Sequence, residues 1–178
     1  VLFFLISWTS SAQKDYKLWL QYNTVINTQM SSEYNTEIKG ILSLGNSETA
    51  KVWSNELELG LNTMLGNKVV VKSKLEGDNT IIIGSKSALS PEVQKLVESD
   101  FEKINEEGFI IKSVVLKNKK QIIITGKKDV GVLYGVYSFL RLIQMNKSIK
   151  NLNITDAPKT TIRILNHWDN LDRTVERG

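Results

Sequence analysis

The chain has 178 residues, 41% of them hydrophobic and 24% charged, with a formal net charge of +4, one His and no Cys. This length and balance are typical of one globular domain, with room for a piece of a second. The lack of Cys excludes disulfides and cysteine zinc sites, and a single His excludes a three-histidine metal site. Because no Asp-rich calcium loop occurs either, we predict neither a metal nor a cofactor.

The first segment has the pattern of an export signal. Val1–Trp8 is apolar, and the small residues Ser10 and Ala12 stand at the −3 and −1 positions of a cleavage site. We therefore predict that residues 1–12 are the remnant of a signal peptide, too short to span a membrane. The alternative is an apolar first strand. The signal implies a periplasmic or extracellular protein with no membrane association after cleavage.

The next residues predict two strands and a helix. Tyr16–Tyr22 alternates like a half-buried strand, Thr24–Lys39 is polar and irregular, and Gly40–Gly45 is a second short strand. From Ser47 or Asn46, a plausible N-cap, apolar residues recur three and four apart as far as the C-cap candidate Gly66. The stripe consists of Ala50, Trp53, Leu57, Leu61, Met64 and Leu65.

The middle of the chain alternates between strands and helices. Strands are predicted over Lys68–Ser73 and Asn79–Ser85, and Ser90-Pro91 is a typical helix start. The β-branched runs Phe109–Leu116 and Gln121–Thr125 predict a hairpin with a Lys/Asn turn.

A last helix begins near Asp129, its expected cap. Its predicted inner face is Val132, Val136, Phe139, Leu140 and Ile143. Gly131 and Gly135, four residues apart, favour a close approach of this helix to the sheet, since each costs about 1 kcal/mol against Ala. A membrane dimer motif is the rival interpretation, which Arg141 disfavours.

The order of elements predicts an α+β fold, with helices packed on a mixed, largely antiparallel sheet. We place a domain boundary at Asp156-Ala157-Pro158 and expect a new strand over Ile162–His167. The first domain then covers residues 13–158, and residues 159–178 begin a second.

Basic residues gather in two places, Lys117-Asn118-Lys119-Lys120 and Lys127-Lys128. Both lie in predicted turns without interleaved aromatic residues, which is typical of solvated turns rather than of a nucleic-acid surface. We therefore predict no nucleic-acid partner.

The terminal stretch RILNHWDNLDRTVERG, from Arg163 to Gly178, carries the most specific motif. It resembles the segment that opens the catalytic barrel of the α-glucuronidases of glycoside hydrolase family 67. In that family it reads Arg-x-Leu-Asn-His-Trp-Asp-Asn, then Asp-Gly-Ser/Thr-x-Glu-Arg-Gly. The upstream stretches YKLWLQY, ELELGLNTMLG and EGFIIKSV, and then the glycine-bearing helix, follow in the family's order. Arg173 departs from the pattern, which usually has Gly there.

The resemblance implies the N-terminal fragment of an exported α-glucuronidase. Such an enzyme hydrolyses α-linked (4-O-methyl-)glucuronic acid from xylan-derived oligosaccharides, the aldouronic acids, with inversion. Residues 159–178 would hold the first strand and loop of a truncated (β/α)₈ barrel. The fragment alone should be inactive, and a homodimer of the full-length enzyme stays open.

Inverting glycosidases use two carboxyl groups roughly 6.5–9.5 Å apart, and barrel enzymes place such groups at the ends of different strands. We therefore expect no catalytic residue in this chain. At the end of the first barrel strand we predict substrate-binding residues instead, with Trp168 offering an indole face for a sugar ring. The predicted set is His167, Trp168, Asp169 and Asn170.

Structural roles compete with this interpretation. Trp168 would otherwise fill the space between barrel and first domain, and His167 would be a buried hydrogen-bonding residue. Arg163 is expected to form a structural ion pair rather than to bind the uronate. A different function, that of a non-catalytic α/β carbohydrate-binding or interaction domain, predicts a reading frame that ends near Gly178.

Overall fold

The computed structural model describes residues 21–160 and 162–164, and within them the fold is α+β, as predicted. Helices pack on both faces of a mixed sheet. In chain order the elements are α1 (Thr28–Glu37), β1 (Gly40–Ser43), α2 (Glu48–Leu65), β2 (Val71–Lys72), β3 (Thr80–Ser85), a 3-10 turn (Lys86–Ala88), α3 (Pro91–Phe101), β4 (Phe109–Leu116), β5 (Lys119–Gly126), α4 (Asp129–Gln144) and β6 (Asn153–Asp156).

The strand order is β2-β1-β3-β5-β4-β6. β1 pairs in parallel with β2 and β3, and β3 with β5, whereas β4 runs antiparallel to β5 and β6. The sheet is thus mixed as expected, but three of these five pairings are parallel, so the expected antiparallel majority is corrected. The reason is that α2 is the crossover between the parallel strands β1 and β2, and that α3 and β4 lie between β3 and β5, so β5 can run beside β3 in the same direction.

Two apolar layers flank the sheet. One side of the sheet is covered by α1, α2 and α4 around the fully buried Trp53, and the other by α3 with Val97 and Phe101. The central strand β3 is buried along its whole length. The predicted inner face of α4 is confirmed, since all five of its residues are at most 1% exposed.

Several local signals give the structures that they predict. Ser47 caps α2 by accepting a hydrogen bond from Ala50 N at 3.0 Å, and Gly66 ends that helix with φ 68°. Ser90 and Pro91 begin α3. The hairpin turn uses Lys117 and Asn118, both with positive φ (52° and 61°), the backbone form that matches strand twist in two-residue turns.

Three predictions are corrected. Thr24–Lys39 is not wholly irregular, because α1 forms there with Asn27 as its cap. Its buried residue Tyr34 donates a long-range hydrogen bond to Lys147 O at 2.8 Å. The segment lacks the apolar stripe that would predict a helix from the sequence. The predicted strand Lys68–Ser73 shrinks to Val71–Lys72, because only two of its residues pair with β1.

The third correction concerns the expected strand Ile162–His167. Residues 162–164 are exposed and belong to no strand, and no neighbouring strand in the described part of the chain pairs with them. Residues 165–167 lie outside the described residues, as do residues 1–20 with the signal segment and most of Tyr16–Tyr22. Tyr22 itself is not in a strand and donates a hydrogen bond to Glu56 Oε1 at 2.6 Å. None of the described helices is both long and apolar enough to cross a membrane.

Candidate functional site at the carboxyl edge of the sheet

The predicted site residues His167, Trp168, Asp169 and Asn170 lie outside the described residues, as does Arg173. What the structure describes is the surface from which the chain departs towards them. β1, β3, β5 and β6 all end at one edge of the sheet, where β4 begins. We call it the carboxyl edge; in open α/β sheets this is the edge where functional groups gather.

At this edge the first turns of α2 and α4 are tied together. Ser47 Oγ donates a hydrogen bond to Asp129 Oδ2 at 2.5 Å and also accepts one from Ala50 N. Asp129 was expected to cap α4, but it is the first helical residue, after Lys128, and its carboxylate is bound by Ser47. A negative charge in the first turn of α4 is favourable because it faces the positive end of the helix dipole.

Glycines allow the backbone to pack tightly at the carboxyl edge. A Cβ atom on Gly131 would overlap the carbonyl oxygen of Gly108, and one on Gly126 would lie 2.7 Å from the same oxygen. One turn further along α4, a Cβ on Gly135 would lie 2.9 Å from Ile124 Cγ2. The predicted close approach of α4 to the sheet is confirmed.

The turn between α3 and β4 holds the departing chain. Asn105 Nδ2 donates to Pro158 O at 3.0 Å, and Glu107 pairs with the guanidinium of Arg163. Arg163 also donates to Thr160 O at 2.9 Å, and its Cζ lies 6.0 Å from the centre of the Tyr134 ring. The hydrogen bond to Glu107 raises the pKa of Arg163. The predicted structural ion pair of Arg163 is confirmed.

Three acids at this edge are engaged with neighbouring side chains. Asp129 is bound by Ser47, Glu107 pairs with Arg163, and Glu106 lies 3.7 Å from Lys128 Nζ. These three carboxylates therefore hold neighbouring elements of the edge together.

Two carboxyl groups elsewhere have lowered pKa values. Hydrogen bonds from Lys103 and Lys112 lower the pKa of Asp100 against its burial. Burial acts to raise the pKa of Glu33, but hydrogen bonds from Ser148 and Ile149 lower it overall. Both groups hold elements together. Over residues 21–160 and 162–164, no three His, Asp or Glu side chains are grouped to hold a metal ion.

The contacts of the α3–β4 turn were not predicted from the sequence. Asn105 and Pro158 are 53 positions apart, and Glu107 and Arg163 are 56 apart. A local cue exists, because Asn105 Oδ1 accepts from Glu107 N at 3.0 Å, as Asn does in many turns. That cue indicates a turn and says nothing about which distant residue the turn binds.

A cleft at the opposite edge is less suited to a sugar. It is lined by ten residues, namely Glu37, Asn79, Ser113, Val114, Val115, Lys120, Gln121, Ile122, Lys150 and Asn151. None of these is aromatic, so a sugar ring has no flat surface to stack on there. The side chain of Gln121 is already satisfied by Thr80 N and Gly77 O, both at 2.9 Å.

Two family descriptions match the chain in succession. The glycosyl hydrolase family 67 N-terminus matches residues 18–139, and the glycosyl hydrolase family 67 middle domain matches residues 142–178. The chain belongs to glycosyl hydrolase family 67. The resemblance drawn from the sequence motifs is therefore confirmed, and His167–Asn170 fall in the part that matches the middle domain. The domain boundary near Pro158 stays a prediction.

Curated relatives of this family 67 chain are longer than it is. It is 28% identical over 141 residues to a probable alpha-glucuronidase A of Aspergillus fumigatus, covering 78% of this chain and 16% of that protein. A probable alpha-glucuronidase A of Aspergillus oryzae is 24% identical over 182 residues, covering 100% of this chain and 20% of the relative. The chain thus spans about a sixth to a fifth of their length.

Among solved structures, a family GH115 4-O-methyl-alpha-glucuronidase with specificity for decorated arabinogalactans is similar over 58% of this chain and 13% of its own. The sequence identity is 18% and the TM-score 0.45.

Proposed function

We propose that this chain is the N-terminal part of an α-glucuronidase that removes α-linked (4-O-methyl-)glucuronic acid from xylan-derived oligosaccharides. The observation that carries the proposal is the match of two successive family 67 descriptions in chain order, over residues 18–139 and 142–178. The relatives named alpha-glucuronidase support the reaction and the carbohydrate class. The enzyme is the parent protein, and the substrate partners are aldouronic acids.

The proposed mechanism is hydrolysis with inversion. One carboxylic acid protonates the leaving oxygen while a carboxylate activates water, and the two groups stand roughly 6.5–9.5 Å apart. We place both carboxyl groups outside this chain. The engaged acids of the carboxyl edge support this assignment, because a group already bound to Ser47 or Arg163 is poorly placed to exchange protons with a substrate.

Substrate binding in this chain is assigned to His167, Trp168, Asp169 and Asn170. Trp168 provides the stacking surface, and the polar residues beside it hydrogen-bond the sugar or order the loop. Arg163 does not serve as the cation for the uronate, because its guanidinium is held by Glu107 and Thr160 O. We place the uronate-binding cations on other parts of the parent protein.

The assay compares the parent protein with the 178-residue chain on aldouronic acids. The parent should release glucuronic acid that is first formed as the β-anomer, as early NMR spectra of the product would show. The isolated chain should show no turnover. Turnover by the chain alone would refute the placement of the acids, and an α-anomeric first product would refute inversion.

Export and assembly belong to the same proposal. The apolar segment Val1–Trp8 with Ser10 and Ala12 supports export to the periplasm or medium. Cell fractionation of the parent protein, with sequencing of its mature N-terminus, tests this point, and cleavage after Ala12 is the expected result. Light scattering of the purified parent tests the homodimer.

A further inference from the structure

The turn between α3 and β4, residues 105–108, holds the departing chain at two points. Asn105 Nδ2 donates a hydrogen bond to Pro158 O, and Glu107 binds Arg163, which lies five residues after Pro158. Residues 159, 160 and 162 lie outside any strand, so side chains rather than the hydrogen bonds of a sheet hold this stretch in place. We call residues 105–108 the clamp turn.

The clamp turn is itself immobilised by the fold. Ile104, just before it, is 4% exposed in the core beneath α3. Gly108, at its end, has its carbonyl oxygen packed against the backbone of Gly126 and Gly131. A rigid turn holds the residues that it binds at a fixed position relative to the first domain, because a packed backbone moves less than a surface loop.

Arg163 contacts the clamp turn, whereas the residues on either side of it are exposed. Arg163 is bound to Glu107 and lies over Tyr134, whereas its neighbours Ile162 and Ile164 are 73% and 84% exposed. Alternate residues of an extended chain point to opposite sides. The family's middle domain continues through these residues to 178, so its remainder is the natural cover for the two isoleucines.

We propose that the clamp turn docks the middle domain onto the first domain and that Arg163 is a positioning residue for Trp168. An extended chain rises about 3.3 Å per residue, so Trp168 stands within roughly 16 Å of Arg163 whatever the conformation of the residues between them. Fixing Arg163 therefore sets the start of the segment that presents the sugar-binding residues. The kinetic consequence rests on the proposed function; the docking itself does not.

Arginine suits this task better than lysine. Its planar guanidinium bonds the Glu107 carboxylate and Thr160 O while lying over the Tyr134 ring. A lysine ammonium is a point charge that cannot keep these three contacts in one geometry. Arg163→Lys should therefore keep the attraction to Glu107 and lose the fixed orientation.

The docking is tested by amide hydrogen exchange on the parent protein. Glu107→Gln and Arg163→Gln should each speed exchange of the peptide covering residues 157–170 by about two- to fivefold, the scale of an exposed ion pair. The double variant should add little, because both changes remove one interaction. Glu106→Gln is the matched control, as its partner Lys128 lies within the first domain. Exchange of β3 and β5 should stay slow in every variant, which reports intact folding.

Equal exchange of peptide 157–170 in Glu107→Gln, Arg163→Gln, Glu106→Gln and wild type would overturn the docking proposal, whatever the enzyme's activity. On aldouronic acids, Arg163→Lys should lower kcat/KM several-fold while leaving the pH profile near neutrality unchanged, because arginine and lysine are both protonated there. If the parent shows no turnover at all, the proposed function fails and the exchange result still decides the docking. Faster exchange with unchanged kcat/KM would overturn only the positioning role of Arg163.

Discussion

The backbone of Gly131 lies so close to the carbonyl oxygen of Gly108 that no side chain fits between them. This contact joins the start of α4 to the clamp turn. Because both partners are backbone atoms, neither can swing aside as the end of a flexible side chain would. The tertiary fold therefore requires glycine at position 131, although glycine has a poor helix propensity.

Gly131→Ala should destabilise the chain by about 1–3 kcal/mol or more, the cost of overpacking a tight site. Gly60→Ala is the matched control, since it also lies within a helix but meets Leu140 Cδ2 at 2.8 Å, a side-chain end that can move. There the gain of about 1 kcal/mol in helix propensity should offset the crowding. Urea unfolding of the two variants measures the difference, and equal stability would contradict the close backbone contact.

Ser47→Ala should cost more than Ser90→Ala, although both serines cap helices. Ser47 caps α2 and also binds Asp129, whereas Ser90 accepts a longer bond from Val93 N at 3.5 Å. Loss of a cap typically costs about 1 kcal/mol, and the second bond of Ser47 adds to it. Thermal and urea unfolding measure the loss of stability in each variant. A larger loss for Ser90→Ala than for Ser47→Ala would contradict the prediction.

Asp100→Asn should remove a stabilisation that depends on pH. The Asp100 side chain is 3% exposed and lies 2.6 Å from both Lys103 Nζ and Lys112 Nζ, which lower its pKa. Since the pKa is lower in the folded state than in the unfolded one, the stabilisation is present above the unfolded value of about 3.9 and is lost as the pH falls through the folded value.

Urea unfolding at pH 7 should show a loss of about 1.5–3 kcal/mol for Asp100→Asn, the range for hydrogen bonds to charged groups. This gap to wild type should shrink as the pH is lowered below about 4. Glu48→Gln, which breaks the exposed pair with Lys51, should change stability little at either pH. A gap that stays constant down to pH 3 would show that the charge of Asp100 does not stabilise the fold.

Trp168→Ala in the parent enzyme should reduce kcat/KM on aldouronic acids by about tenfold or more, because a sugar ring loses its stacking surface. Trp168→Phe should retain most of the activity, since a flat ring remains. If both variants keep wild-type kcat/KM but unfold at lower temperature, Trp168 fills the core and does not bind substrate.

Local chemistry explains which parts of the fold were predictable. The ends of α2 and α3 follow from Ser47, Gly66 and Ser90-Pro91, and these act on atoms within a few residues of themselves. The inner face of α4 follows from helical periodicity. α1 was missed because its buried residue Tyr34 is held by Lys147, more than a hundred positions away.

The sequence by itself determined the family, through a terminal motif whose residue types are specific, and the α+β class, through periodicity and caps. Only the tertiary structure decided that three strand pairings are parallel and that the Asp129 carboxylate binds Ser47 rather than capping its own helix. It also decided that Arg163 binds Glu107. Periodicity and caps act over a few bonds, whereas strand order and ion pairs depend on which distant segments the packed core brings together.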